Sequence, residues 1–179
     1  VAGSIFDAIG YPPEHMDFAY ENGCDALALT DHGNMNGYSY QLLHWKKMKE
    51  EGKSFKAIFG VEAYFLPSIQ DWKEEYERIR EDTKLAKKLA KEEASGATVE
   101  DEGESKKAQD VLKRRRHLIL LAQNQTGLNN IFKMISESYR EGNFYRYPRV
   151  DYDMLERYGE GVIAASACLG GPYAGNYWE

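Results

Sequence analysis

Cysteine is almost missing from this chain. Cys24 and Cys168 are the two among 179 residues. Two thiols cannot build a disulfide framework, so a reducing, cytoplasmic compartment is the expectation. Long hydrophobic runs are missing as well: no stretch of 18 apolar residues occurs, and no membrane span is expected. The N-terminus lacks the basic flank and apolar core of a signal peptide. It opens on Val1 rather than Met, so the chain reads as a piece of something longer. Positive charge is in deficit, with 23 Lys and Arg against 29 Asp and Glu for a net charge of -6. That balance argues against an autonomous duplex-binding module, which carries a basic face.

What is present is a globular composition. The chain is 42% hydrophobic and 13% aromatic, and its length suits one domain with one sizeable core. The charge is unevenly spread. Between Asp71 and Arg116 there are 13 basic and 13 acidic residues, so the whole net charge lies outside that segment.

Apolar periodicity and turn residues predict the elements. A helix is expected over 12–22, opened by Pro12 and Pro13 and stopped by Gly23. A short strand follows over 25–30, then an amphipathic helix over 38–51, then a strand over 57–64. This alternation is the rhythm of a parallel α/β sheet or barrel. The segment 71–116 reads as an inserted, charged helical hairpin outside the core, with a flexible loop over 94–105. The alternation resumes with a strand over 117–122, a helix over 126–138, an aromatic and basic loop over 144–149, a short helix over 152–158 and a strand over 162–165.

Two of these strands end in ionisable groups. Ala26-Leu27-Ala28-Leu29-Thr30 runs into Asp31-His32-Gly33, and Ala57-Ile58-Phe59-Gly60-Val61 runs into Glu62. Strand ends of a parallel barrel present such groups to one shared mouth, which makes His32 and Glu62 the leading metal or catalytic candidates. Asp31 either orients a ligand from behind or caps the next segment. Taken alone, His117 reads as a solvated residue after Arg114-Arg115-Arg116, and Cys168 as an inert thiol after a strand. Cys24 reads as core, and His15 and His44 as surface residues. Asp7 could cap local backbone. Tyr145, Arg146 and Arg149 have the composition of a single-strand stacking loop, against the plainer reading of packed tyrosines. Arg114 to Arg116 could contact phosphate, or could simply be solvated.

Taken together, several stretches resemble the PHP (polymerase and histidinol phosphatase) domain of bacterial and phage C-family replicative DNA polymerases, the polymerase III alpha type. They are Ser4-Ile5-Phe6-Asp7, 26–37, Gly60-Val61-Glu62-Ala63-Tyr64, 117–136 and Ser166-Ala167-Cys168-Leu169-Gly170-Gly171-Pro172. Asn124-Gln125-Thr126-Gly127-Leu128-Asn129-Asn130 and Phe144-Tyr145-Arg146-Tyr147-Pro148 are similar to the polymerase branch.

The resemblance implies an α/β fold, a distorted (βα)7 TIM-like barrel, here incomplete and carrying the hairpin insertion. Residues 1–179 would be a partial PHP domain, with the polymerase palm, fingers and thumb outside this chain. It implies up to three divalent ions held by nine ligands. Asp7, His32, Glu62, His117 and Cys168 match five of those positions, with Glu62 as the bridging acid. The His-x-His that opens the family's first motif and the Asp-x-His that closes its site do not occur in this chain. A mixture of His, Cys and carboxylate suits zinc, or manganese where oxygen dominates; magnesium would serve the parent polymerase.

The expected function is therefore part of a DNA-directed DNA polymerase, with a possible metal-dependent 3′–5′ exonuclease in the intact domain. Expected partners are DNA and other replisome subunits. This piece by itself is expected to be inactive. One alternative is a catalytically inert module that braces the polymerase. The other is a stand-alone PHP phosphoesterase.

Overall fold

The computed structural model describes residues 9–93 and 106–174. The first helix, α1 (Pro12–Glu21), has prolines in its first turn, and the Tyr11 N–H donates to the Glu14 carboxylate at 2.8 Å. Strand β1 (Ala26–His32) is followed by α2 (Tyr38–Glu50) and the ten-residue β2 (Lys56–Phe65), which lies parallel to β1. A long helix, α3 (Ile69–Glu93), and a short one, α4 (Lys106–Lys113), lead to β3 (Arg116–Ala122). Then come α5 (Gln125–Ser138), β4 (Phe144–Tyr145), β5 (Tyr147–Val150), α6 (Tyr152–Tyr158) and β6 (Val162–Ser166). The short polar side chains of Asn124 and Asp151 accept from the N–H groups of Gly127 and Met154 and so start α5 and α6.

The sheet is mixed rather than parallel, which corrects the sequence reading. Its order is β4-β5-β2-β3-β6, and β1 also pairs with β2. Strand β3 runs antiparallel to β2, with Phe65 opposite Arg116. The reason lies in α3 and α4. Trp72 near the start of α3 donates its indole N–H to the carbonyl of Val111 near the end of α4, at 2.8 Å, so the two helices run out and back. The chain re-enters the sheet where it left it and must run the other way. The expected loop over 144–149 is a tight β4–β5 hairpin, turned by Arg146 at φ 58°.

The two faces of the sheet differ. Alternation along β2 sends Val61, Ala63 and Phe65 into the main core, joined by Leu118 and Leu120 of β3. That core also contains Trp72, Ile79, Ala108, Val111 and Leu112. The hairpin is therefore not wholly outside the core: its base is packed there, because these apolar residues share the inner faces of α3 and α4. A smaller cluster of Met16, Ala19, Met48, Phe55 and Ala57 holds α1 and α2 to the same sheet. The opposite face carries Glu62 and Tyr64 and is only half-buried.

Cys24 departs from the sequence reading, and two surface histidines are more constrained than it expected. Cys24 is exposed rather than core, since it follows the Gly23 turn outside α1. His15 and His44 are half-buried and held in place: His15 Nε2 lies 2.8 Å from the Ile9 carbonyl, and His44 Nε2 lies 2.9 Å from Asp17 Oδ1. The proposed loop over 94–105 falls outside the described residues.

Candidate metal centre

Strand register assembles the site. His32 is the last residue of β1 and lies directly opposite Glu62 in the parallel ladder. Tyr64, two residues beyond Glu62 on the same face, lies opposite His117 in the antiparallel ladder. The three ionisable side chains therefore converge on the half-open face. Glu62 Oε2 is 3.6 Å from His32 Nε2, and Glu62 Oε1 is 2.9 Å from His117 Nδ1. The two imidazole rings meet edge to face with centroids 5.3 Å apart. One donor atom from each of His32, Glu62 and His117 lies within 4.8 Å of the others.

Cys168 arrives from the other side. Its Sγ is 3.4 Å from His117 Nδ1, and the Gly170 N–H points at the same sulfur at 3.4 Å. The Gly170 carbonyl accepts from the His117 N–H at 2.9 Å, which ties the 168–171 turn to the start of β3. The cysteine touches the cluster without sharing the tight three-donor geometry.

The turn after His32 needs glycine. Gly33 has φ +65°, and a Cβ there would meet the Tyr64 ring at 2.8 Å and Pro148 at 2.9 Å. Asp31, 5% exposed, points away from the triad toward the helical side. Its Oδ2 accepts from the Gly37 N–H at 3.0 Å at the entry to α2. That contact fits the capping reading of Asp31.

Two imidazoles and a carboxylate, with a thiol beside them, form a donor set that suits a borderline divalent cation such as zinc. The site is half-buried. The residue that sequence reasoning passed over is Tyr64. Its ring stacks on His32 at 6.2 Å and tilts against His117 at 5.6 Å, fixing both imidazoles. Its period-2 spacing from Glu62 was the available signal.

The aromatic and basic segment divides. Arg149 is fully buried, its guanidinium 4.1 Å over the Trp72 ring, donating to the carbonyls of Leu112 and Tyr147. Burial first, and then the neighbouring Arg115 charge, push its pKa down to about 10. A strand in solvent cannot reach it, so Arg149 organises the core. Arg146 is exposed at the hairpin tip. Asp7 lies outside the described residues, as does the side chain of Tyr145.

Among the described residues no helix is long and apolar enough to cross a membrane. The family model for the PHP domain matches residues 2–175. The chain is 37% identical over 168 residues to the DNA polymerase III subunit alpha of Aquifex aeolicus, covering 94% of this chain and 12% of that protein. It is 39% identical over 168 residues to the subunit of the same name from Borreliella burgdorferi, covering 94% of this chain and 11% of that protein. The matching protein of Treponema pallidum is 34% identical over 153 residues, 84% of this chain and 10% of its own length. The chain thus spans about a tenth of the length of these relatives.

Proposed function

The chain belongs to the PHP domain family, and from that premise we propose that it is a metal-binding part of the PHP domain of a bacterial or phage replicative DNA polymerase. In this reading residues 1–179 are a partial domain, and the charged pair of helices is an insertion within it. The barrel is the distorted (βα)7 type, continued by strands beyond those described. The outward face of β6 supports this, since Ile163 is 49% exposed on an edge strand. The protein acts in the cytoplasm, with DNA and other replisome subunits as partners.

One observation carries the metal reading: a single carboxylate, Glu62, sits between two histidines delivered by strands on either side of it. His32, Glu62 and His117 would hold a zinc or manganese ion, with Cys168 and Asp7 as further ligands. Such an ion supplies Lewis acidity toward a phosphodiester and a lowered pKa for attacking water. The chain's own part is positional. Tyr64 keeps the imidazoles in place, and the Gly170 carbonyl and N–H hold His117 and Cys168. In the intact domain this site performs 3′–5′ exonucleolytic hydrolysis.

Calorimetric titration of the full chain with Zn²⁺ and Mn²⁺ tests the site. Glu62→Ala should weaken binding by more than the roughly 10–100-fold that loss of an outer-shell partner costs. Unchanged affinity, or no binding by the wild type, defeats the proposal.

A second reading, the inert brace, draws support from Leu169 and Tyr173, 81% and 79% exposed beside β6, as apolar surface for docking other parts of a polymerase. In the intact polymerase, Glu62→Ala that lowers the melting temperature with no exonuclease activity to lose supports the brace. Loss of a measurable metal-dependent exonuclease supports catalysis.

A further inference from the structure

The metal cluster has a support that its ligands do not supply. Tyr64 packs against both imidazoles, and its ring is in turn held by residues of two other segments. Tyr147 of β5 meets the Tyr64 ring edge to face, with centroids 5.1 Å apart. The guanidinium of Arg115, the residue just before β3, lies 5.5 Å over Tyr64 and 3.9 Å over Tyr147.

In the chain Arg115 is the middle of three arginines. In the fold it is half-buried and stacked. Its Nη1 donates to the Lys113 carbonyl at 3.0 Å, which ties the guanidinium to the end of α4. Its Nε has no hydrogen-bond partner among the described residues. The planar group therefore acts mainly through the two ring faces, a fit that a lysine ammonium does not reproduce. Beside Tyr147, Pro148 closes on the turn after His32: a Cβ at Gly33 would meet Pro148 as well as the Tyr64 ring. The His32 turn, Tyr64 and the β4–β5 hairpin thus form one packed unit.

This packing governs a degree of freedom that strand register leaves open. Register sets where His32 and His117 leave the sheet, but an imidazole still turns about a broad second torsion. A ligand must be aimed to within about 10–20° to bind well. We propose that Arg115 and Tyr147 are positioning residues: they fix the Tyr64 ring, and through it the orientation in which His32 and His117 meet a divalent cation. The use made of that orientation rests on the metal reading above; the orientation itself does not.

The test joins two measurements on the full 179-residue chain. The first follows the histidine ring signals in proton–nitrogen correlation spectra without metal. The chain has four histidines, and His15 and His44, held by the Ile9 carbonyl and by Asp17, serve as internal references. Tyr147→Leu should move the His32 and His117 signals and leave those of His15 and His44 in place. The second is calorimetric titration with Zn²⁺. There Tyr147→Leu should weaken binding about tenfold, the low end of the range for losing a residue that supports a ligand. Tyr147→Phe keeps the ring and should match the wild type in both measurements. Arg115→Lys keeps the charge, so its effect cannot come from altered repulsion of the cation. It removes the planar stack and should move the same two signals and weaken binding about threefold. This variant also carries the test should Tyr147→Leu not fold. Tyr152→Leu, which removes an exposed ring on α6, should change neither measurement. Unmoved His32 and His117 signals in Tyr147→Leu and Arg115→Lys overturn the proposal. Moved signals with wild-type zinc affinity overturn it too, since rings that reorient without cost to binding are not positioned for it. Wild-type affinity in these variants leaves the metal reading standing. A wild type that binds no zinc defeats the metal reading, and the ring signals then decide by themselves whether Arg115 and Tyr147 orient the imidazoles.

Discussion

The two halves of α3 follow one pattern and meet different fates. Both are dense in charge with an apolar residue every third or fourth position. In the first half Trp72 and Ile79 are 6% and 7% exposed, while in the second Leu85 and Leu89 are 57% and 51% exposed. The difference is the partner. The first half lies against α4, whose Ala108, Val111 and Leu112 face it, and against Arg149 from β5. An amphipathic stripe offers a face; only a second surface makes it core.

The largest effect that would break this contrast is at Trp72. Trp72→Ala should cost about 3–5 kcal/mol in urea unfolding, while Leu85→Ala should stay within about 0.5 kcal/mol. Equal costs would mean that the outer half is packed as tightly as the inner half. Next is Arg149, whose guanidinium joins the hairpin base to the sheet. Arg149→Ala should cost about 1.5–3 kcal/mol, since two carbonyls lose a charged donor. A neutral result would mean those contacts contribute nothing net to holding the hairpin base.

The smallest effect sharpens the contrast from outside the core. Arg157 on α6 grips Glu137 on α5 at 2.6 and 3.0 Å, and that hydrogen bonding holds the Glu137 carboxyl below its ordinary pKa. A carboxyl with a lowered folded pKa binds its proton less readily than in the unfolded chain. Its contribution is therefore complete above the ordinary value of 4.5 and fades as pH falls through the lower, folded one. Arg157→Ala should reduce that acid sensitivity, leaving the part that the Tyr158 hydroxyl supports, at a cost below about 1 kcal/mol at neutral pH. Denaturant melts at neutral and acid pH read both quantities.

Much of the local structure was legible in the chain. Prolines at the head of α1, Gly23 at its end and the apolar run into His32 mark their elements through backbone rules that act over a few residues. His32 and Glu62 stood out because a strand that ends on an ionisable group has no packing reason to do so. His117 and Cys168 did not stand out by themselves. Their proximity to Glu62 depends on β3 lying antiparallel beside β2, and the direction of β3 follows from the return path of α3 and α4.

Arg149 shows the same limit from the other side. In the chain it belongs to an aromatic and basic run; in the fold it lies beneath Trp72, a residue 77 positions earlier. Composition and periodicity by themselves determined the helices, most strand bounds, the low cysteine content and the two strand-end candidates, since all of these are written in neighbouring residues. The mixed sheet, the convergence of His32, Glu62 and His117 and the burial of Arg149 were decided only by tertiary structure, because each joins segments whose register is set by packing across the sheet.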